Sequence, residues 1–440
     1  MEIGQVFSAL QKHRGNPRNP SLEPMRRLLS RLGDPQDRVP CIHVAGTNGK
    51  GSVCAMLAAV LQACGYRTGL FLSPYVVEFG ERIQINGRYI PSERLADIAG
   101  KVFPQVEVLE AQGDSFTEFE LVAALGFLYF WQEGCEIAVI ETGMGGRIDA
   151  TNVLARPELA VLTAVSFDHT AVLGSSLAAI AREKSGILKP GVDMAVSFPQ
   201  PSEVWPVLEQ AAKATDSRLW DAGEIRLEDV SDSLDGIRWQ VQGRRFRLPL
   251  AGPHQIENLR TVWKALQILR GRGWDLPWSA VREGFSRARL PARLERFGTM
   301  PLFLLDCAHN PAGAEVLAES VRRYLPGRRV MGVVGMLRDK PCAAVMDILS
   351  PCFSDLFAVT PDSPRALPDR ELAAFWRGET PPHLCGGNLA GALRQAAACV
   401  GETGAVVVCG SLFLAGQARP LLEEQEKFAE KITGRHAATK

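Results

Sequence analysis

The chain has 440 residues, more than one ordinary hydrophobic core organises, so two domains are expected. Lysine plus arginine equals aspartate plus glutamate at 49 each, and this zero net charge provides no basic field for a nucleic-acid partner. Ten cysteines without a C-x-x-C pair indicate neither a zinc site nor a disulfide framework, and no stretch approaches the roughly 18 apolar residues of a membrane span, so a soluble cytoplasmic protein without a membrane partner is expected.

The first informative stretch is residues 42–57, "IHVAGTNGKGSVCAML". Residues 42–45 read as a short buried strand and 53–61 as an apolar helix, with a glycine-rich turn between them. Backbone N–H groups and a positive dipole end then converge on one point, which suits an anion. Asn48, Gly49, Lys50, Gly51 and Ser52 form the turn, Lys50 adding a point charge and Ser52 a hydroxyl for a phosphate or its metal. The stretch departs twice from the pattern G-x-x-x-x-G-K-[ST]. Val44 replaces the first glycine, and Gly51 pushes Ser52 one place along. The loop by itself does not distinguish a switch, a motor or a synthetic enzyme.

Further strands are expected at "TGLFLS", "EIAVIET", "LAVLTAVS" and "DMAVSF", interleaved with helical patterns such as "SLAAIAREKSGIL". The fold class is therefore α/β, with a mostly parallel sheet covered by helices. Residues 218–250 alternate in short segments with turn residues and read as a small antiparallel β region. A helix follows "GPHQIENLRTVWKALQIL", and a hinge is expected at 291–300, within "RARLPARLERFGTM". It separates a domain over 1–290 from a second α/β, Rossmann-like domain over 301–440. The final "EEQEKFAEKITGRHAATK" reads as a polar helix running into a tail.

Glu141 ends an apolar strand, where a parallel sheet presents its ligands, and beside a phosphate loop it suits Mg²⁺. The following "GMGGRIDATN" allows close backbone approach to a ligand. His169, in "SFDHTAVLGSS", lies at the same edge and reads equally as a second metal ligand or as a structural histidine; Asp168 orients its loop. Lys184 falls near the end of a predicted helix and by pattern alone reads as a solvated lysine complementing the helix terminus. Asp306, His309 and Asn310 follow a strand in the second domain, as a nucleotide-facing cluster or an Asp/Asn-rich turn.

"HVAGTNGKGS", "FLSPYVVEFGERIQING", "ETGMGGRIDATNV", "FDHTAVLGSSLAAIAREKSGI", "GPHQIENLR", "LPARLER" and "DCAHNPAGAE" occur in that order over nearly the whole chain. Together they strongly resemble the folylpolyglutamate synthase family, which includes bifunctional dihydrofolate synthases and is related to the muramyl ligases. The resemblance implies an N-terminal P-loop ATPase domain, a C-terminal Rossmann-like domain and an active site between them. It implies magnesium held by Ser73, Glu141 and His169, and ATP held by Asn48, Gly49, Lys50, Gly51, Ser52, Asn258, Arg293, Asp306 and His309. Lys184 matches a position that family members carry as a carbamylated lysine. Thr117, Phe119 and Glu120 in "SFTEFE", together with Asp149, match segments that touch the pterin in members that bind dihydropteroate, and Tyr75, which departs from the family pattern, is assigned to the same folate side.

The implied reaction is ATP-dependent: a folate's terminal carboxylate becomes an acyl phosphate, and the amine of L-glutamate attacks it. Lys50, Glu141, His169, Lys184 and His309 would be the catalytic set, with His309 a candidate base for the amine. The partners are small molecules (reduced folate, L-glutamate and ATP) acting on a monomer, with K⁺ as a further ion to consider. Many relatives have "SPH" where this chain has Ser73, Pro74 and Tyr75. The primary expectation is thus a folylpolyglutamate synthase acting on tetrahydrofolates, with a bifunctional enzyme that also uses dihydropteroate as the alternative. A P-loop switch is the more distant rival, and the folate-side loop favours folate over a muramyl substrate.

Overall fold

The computed structural model describes residues 1–16, 19 and 21–433. The last part of the predicted C-terminal tail, 434–440, lies outside the described residues, and a helix spans Leu412–Thr433. The chain divides into two units: one comprises 1–230, 238–248 and 255–289, the other 231–237, 249–254 and 290–440.

The first unit is built on eight strands: β1 Cys41–Ala45, β2 Thr68–Phe71, β3 Ile83–Ile85, β4 Arg88–Tyr89, β5 Ile137–Glu141, β6 Leu159–Leu162, β7 Met194–Val196 and β8 Leu219–Asp221. Their order is β4-β3-β2-β5-β1-β6-β7-β8. From β2 to β8 every neighbour is parallel. Such strands need apolar residues on both faces, and β1, β5 and β6 are buried throughout. The predicted strands fall where expected, but residues 219–221 do not. They form the parallel edge strand β8, whereas the sequence placed them among antiparallel hairpins. Three residues are too few to show a period.

At the opposite edge β3 and β4 run antiparallel to their neighbours. Asn86 and Gly87 join them with φ of 49° and 69°. Two positive φ values are what a tight type I′ hairpin turn requires, and Asn-Gly meets that demand with little steric cost.

The remaining hairpin region forms a separate three-stranded sheet of β9 Glu228–Ser233, β10 Gly236–Val241 and β11 Arg244–Leu248. Phe246 anchors it in an aromatic cluster, 5.3 Å from Trp239 and 5.0 Å from Trp263 between ring centroids. The helix Trp278–Arg287 adds Phe285 to that cluster. It also crosses the helix Lys50–Ala63 at Gly284, where a β-carbon would collide with the backbone of Val60. The helix that opens the phosphate loop is thus held by backbone-to-backbone approach.

The second unit carries β12 Glu295–Phe297, β13 Leu302–Leu305, β14 Val330–Val334, β15 Asp355–Ala358, β16 His383–Leu384 and β17 Ala405–Cys409. Their order is β12-β13-β17-β14-β15-β16. All pairs are parallel except β12 with β13. The stretch 291–300 therefore contributes an edge strand to the second sheet.

Candidate functional site

The phosphate loop leaves the carboxyl end of β1 and enters the helix Lys50–Ala63 through Gly49, which is left-handed at φ 89°. A side chain there would be strained by its backbone and would also strike Asn258 Oδ1. The loop is tied to the segment after β6: Thr47 N–H donates to the Ala164 carbonyl at 2.8 Å, and Thr47 Oγ1 to the Ser166 carbonyl at 3.0 Å. Lys50 Nζ folds back onto the Thr47 carbonyl at 3.2 Å. Ser52 is buried and accepts a hydrogen bond from Gln255 at 3.1 Å, while Asn258 donates to the amide oxygen of Gln255 at 3.0 Å. Gln255 is the residue that sequence reasoning missed. It lies inside the quoted "GPHQIENLR", but nothing local shows that it reaches back to Ser52.

Glu141 ends β5 and stands in register with Val44 of β1, which puts it at the same sheet edge as the loop. Its side chain is buried, and one oxygen accepts the Ser73 N–H at 2.9 Å. Carboxylate and hydroxyl oxygens in this setting are the donors a hard cation such as Mg²⁺ takes, so these residues fit that ion. His169 has a left-handed backbone, φ 50°, at the start of the short helix Thr170–Leu173, and its N–H donates to Asp168 at 2.8 Å. Asp168 does orient this loop.

Lys184 corrects the surface reading. It is 3 % exposed, and Nζ donates to the Gly46 carbonyl at 2.6 Å. Burial, reinforced by the nearby charge of Lys50, lowers its pKa from the ordinary 10.5 to about 7, against the pull of Asp168 and Asp149. The neutral amine therefore becomes accessible near neutral pH.

On the folate side, the N–H groups of Val76, Val77 and Glu78 all donate to the buried Glu81 carboxylate, at 2.7–3.0 Å, and fix the loop after Ser73. Tyr75 is 37 % exposed, with Arg82 5.2 Å from its ring centre. Thr117 caps the helix Glu118–Gln132, and Glu120 returns the bond to the Thr117 backbone at 2.8 Å. Asn19 also donates to Glu120, so these two predicted ligands carry a structural hydrogen-bond load. Phe119 lies against Gly143, where a β-carbon would approach its ring to 2.6 Å. Asp149 is 3 % exposed and accepts from Met144 N–H at 2.8 Å and Thr151 Oγ1 at 2.6 Å.

In the second unit Asp306 follows β13 and accepts from the N–H groups of Leu294, at 3.0 Å, and Ala308, at 2.8 Å. Burial raises its pKa, opposed by Arg293 and these two donors. Arg293 touches the Cys307 sulfur and stands between Ala292 and Leu294, both left-handed at φ 54° and 46°. Left-handed backbone on both sides of one residue persists only where the surrounding structure over-determines it. His309 Nδ1 lies 2.9 Å from the Cys307 carbonyl. A carbonyl only accepts, so Nδ1 carries the proton and Nε2 is the basic atom of the neutral ring. Asn310 caps the helix Pro311–Tyr324. It serves as a cap, while Asp306 and His309 remain beside Arg293.

The Mur ligase middle domain matches residues 44–265, and the Mur ligase glutamate ligase domain matches 292–412. A folylpolyglutamate synthase from Lacticaseibacillus casei is 35% identical over 415 residues, covering 90% of this chain and 92% of that protein. The chain belongs to the folylpolyglutamate synthase/dihydrofolate synthase branch of the Mur ligase family. It is accordingly an ATP-dependent ligase. A dihydrofolate synthase/folylpolyglutamate synthase from Mycobacterium tuberculosis is 34% identical over 440 residues, covering 92% of this chain and 90% of that one. The crystal structure of M. tuberculosis folylpolyglutamate synthase with ADP and AMPPCP superposes with a TM-score of 0.87 at 32% identity, covering 96% of this Mur ligase family chain and 98% of the other.

Proposed function

We propose that the chain adds L-glutamate to the terminal glutamate carboxylate of tetrahydrofolates, using ATP to form an acyl phosphate. The observation that carries this reading is the shared sheet edge: a glycine-capped phosphate loop after β1 and buried Glu141 at the end of the adjacent β5. A carboxylate does not condense with an amine in water unless activated, and an edge that gathers phosphate donors beside a carboxylate supplies the activation.

In this reading Asn48, Gly49, Lys50, Gly51 and Ser52 cradle the phosphates, with Gln255 and Asn258 fixing the loop from behind. Lys50 offsets charge on the transferring phosphoryl group, usually the largest catalytic contribution. Ser73, Glu141 and His169 would hold Mg²⁺, which would supply positive charge to offset that of the phosphates. Within the second unit, Arg293, Asp306 and His309 are the residues assigned to nucleotide binding, and His309 Nε2 is the candidate base for the ammonium of L-glutamate. Tyr75, Thr117, Phe119, Glu120 and Asp149 serve the folate.

Lys184 is the site proposed for carbamylation. Only an unprotonated amine attacks CO₂, and burial supplies that form at neutral pH. The resulting anion would be attracted to Lys50 where the ammonium is repelled. K⁺ remains part of the proposal as a second ion for the phosphate region.

Ligation to dihydropteroate as well is the second reading. The M. tuberculosis relative named for both activities and the L. casei relative named for one are equally similar to this chain, at 34% and 35%. The deciding experiment measures ADP release with ATP, Mg²⁺ and L-glutamate, offering tetrahydrofolate or dihydropteroate and identifying products by mass. Glutamate added only to tetrahydrofolate supports the first reading. Addition to both supports the second, and addition to neither refutes both.

A further inference from the structure

β1 is the central strand whose carboxyl end launches the phosphate loop, and all five of its residues are buried. Four of them, Cys41, Ile42, Val44 and Ala45, are small or apolar; the fifth is His43, at 0 % exposure. A valine or isoleucine would satisfy the sheet there without desolvating an imidazole. The polar ring therefore requires a reason beyond packing.

Its hydrogen bonds supply one. His43 Nε2 lies 2.8 Å from Thr151 Oγ1, and Thr151 Oγ1 lies 2.6 Å from Asp149 Oδ1. A hydroxyl has one proton. Thr151 gives it to the carboxylate, so its oxygen accepts from His43, and Nε2 must be the protonated nitrogen. Nδ1 is then the acceptor nitrogen, and it has no hydrogen-bond donor among the described residues. Leaving that atom unsatisfied in the core is unfavourable, so what the ring achieves at its other nitrogen must outweigh it. Burial, aided by the charge of Lys189, lowers the pKa of His43 from 6.5 to about 3, and the ring stays neutral at working pH.

The far end of this chain is the glycine-rich loop. Asp149 also accepts the N–H groups of Thr151, at 3.0 Å, and Met144, at 2.8 Å. Together with the hydroxyl these donors hold its carboxylate, and His43, by occupying the hydroxyl's lone pair, favours the rotamer that keeps the Thr151 proton on Asp149. His43 and Thr151 are 108 positions apart, so the bond ties the loop to the sheet interior.

We propose that His43 is a positioning residue, which through Thr151 sets the orientation of the Asp149 carboxylate and thereby the affinity for the folate acceptor. The proposal rests on the reading above in which Asp149 faces that acceptor. His43 itself touches no substrate and transfers no proton.

The test uses the full chain and measures KM for tetrahydrofolate, KM for ATP, kcat and the melting temperature. His43→Leu and Thr151→Val are each expected to raise the acceptor KM about tenfold, the scale of one lost buried hydrogen bond, with less than about a twofold change in the ATP KM. The double variant should be no worse than either single one, because one chain is cut in two places. His43→Gln, which restores a donor near Nε2, and Thr151→Ser should recover most of the affinity. A lower melting temperature with unchanged acceptor KM would overturn the proposal, as would additive effects in the double variant. If His43→Leu does not fold, the contrast between Thr151→Val and Thr151→Ser decides. Asp149→Asn separates the two levels: an unchanged acceptor KM defeats the reading of Asp149 and the proposal with it. A raised KM there, with no effect at His43 or Thr151, defeats the proposal alone.

Discussion

Replacing Lys184 by methionine keeps the aliphatic stem and removes the amine, so it isolates the cost of a buried, titrating nitrogen. In the folded chain the pKa is depressed from 10.5 to about 7, with burial the first cause and Lys50 the second. Between those values the unfolded chain binds more protons than the folded one, so stability attributable to this group rises with pH. Below pH 7 both states are protonated and the full penalty of burying the charge applies, on the order of 5 kcal/mol for a shift of this size. Raising the pH from 7 to 9 should recover about 2 kcal/mol of it. Urea unfolding of the wild type and Lys184→Met at pH 7, 8 and 9, in buffer freed of CO₂ so that the amine stays unmodified, reads the difference directly. The wild type should gain stability relative to the variant by that amount across the range. Parallel pH profiles would refute the argument, because a lysine with an ordinary pKa contributes no slope there. Adding bicarbonate should flatten the wild-type profile and leave Lys184→Met unchanged.

Gly49→Ala combines a left-handed backbone with a clash against Asn258, and should destabilise by about 2–3 kcal/mol while weakening ATP binding at least about tenfold; calorimetric titration with ATP checks it. Gly284→Val forces apart the two helices that meet at Val60 and should cost about 1–3 kcal/mol, read as a lower unfolding midpoint. Glu141→Gln keeps the shape but loses the charge offered to a cation. It should lower Mg²⁺-dependent turnover by about a hundredfold or more, with ADP binding in the absence of Mg²⁺ unchanged; activity near the wild-type level would remove Glu141 from the site.

The buried parallel strands were legible because their physics is local: an apolar run such as "EIAVIET" needs no partner to be recognised. Asn86-Gly87 is a signal of the same local kind, because the two residues that best tolerate positive φ stand side by side. The phosphate loop announced itself through glycines around a lysine. What escaped were contacts between distant segments. Lys184 has the pattern of an exposed helix-terminal cation, and only a carbonyl 138 positions away makes it buried. Gln255 reaches Ser52 across 203 positions, and no periodicity encodes that reach. β8 was misplaced because its three residues fall below any period, and its membership is decided by β7.

The two rims of the large sheet bear on how the chain behaves in crowded solution. One rim is β4, only two residues long and carrying Arg88. The other is β8, three residues long, with the guanidinium of Arg218 stacked 3.6 Å over Trp220. A rim invites another chain when it is long, flat and apolar, and both of these are short, with a cationic side chain on the strand at β4 and just before it at β8. The eight-stranded sheet therefore ends without a ladder long enough to template intermolecular pairing, a safeguard against aggregation that lies at the opposite ends of the sheet from the central strands that carry the phosphate loop.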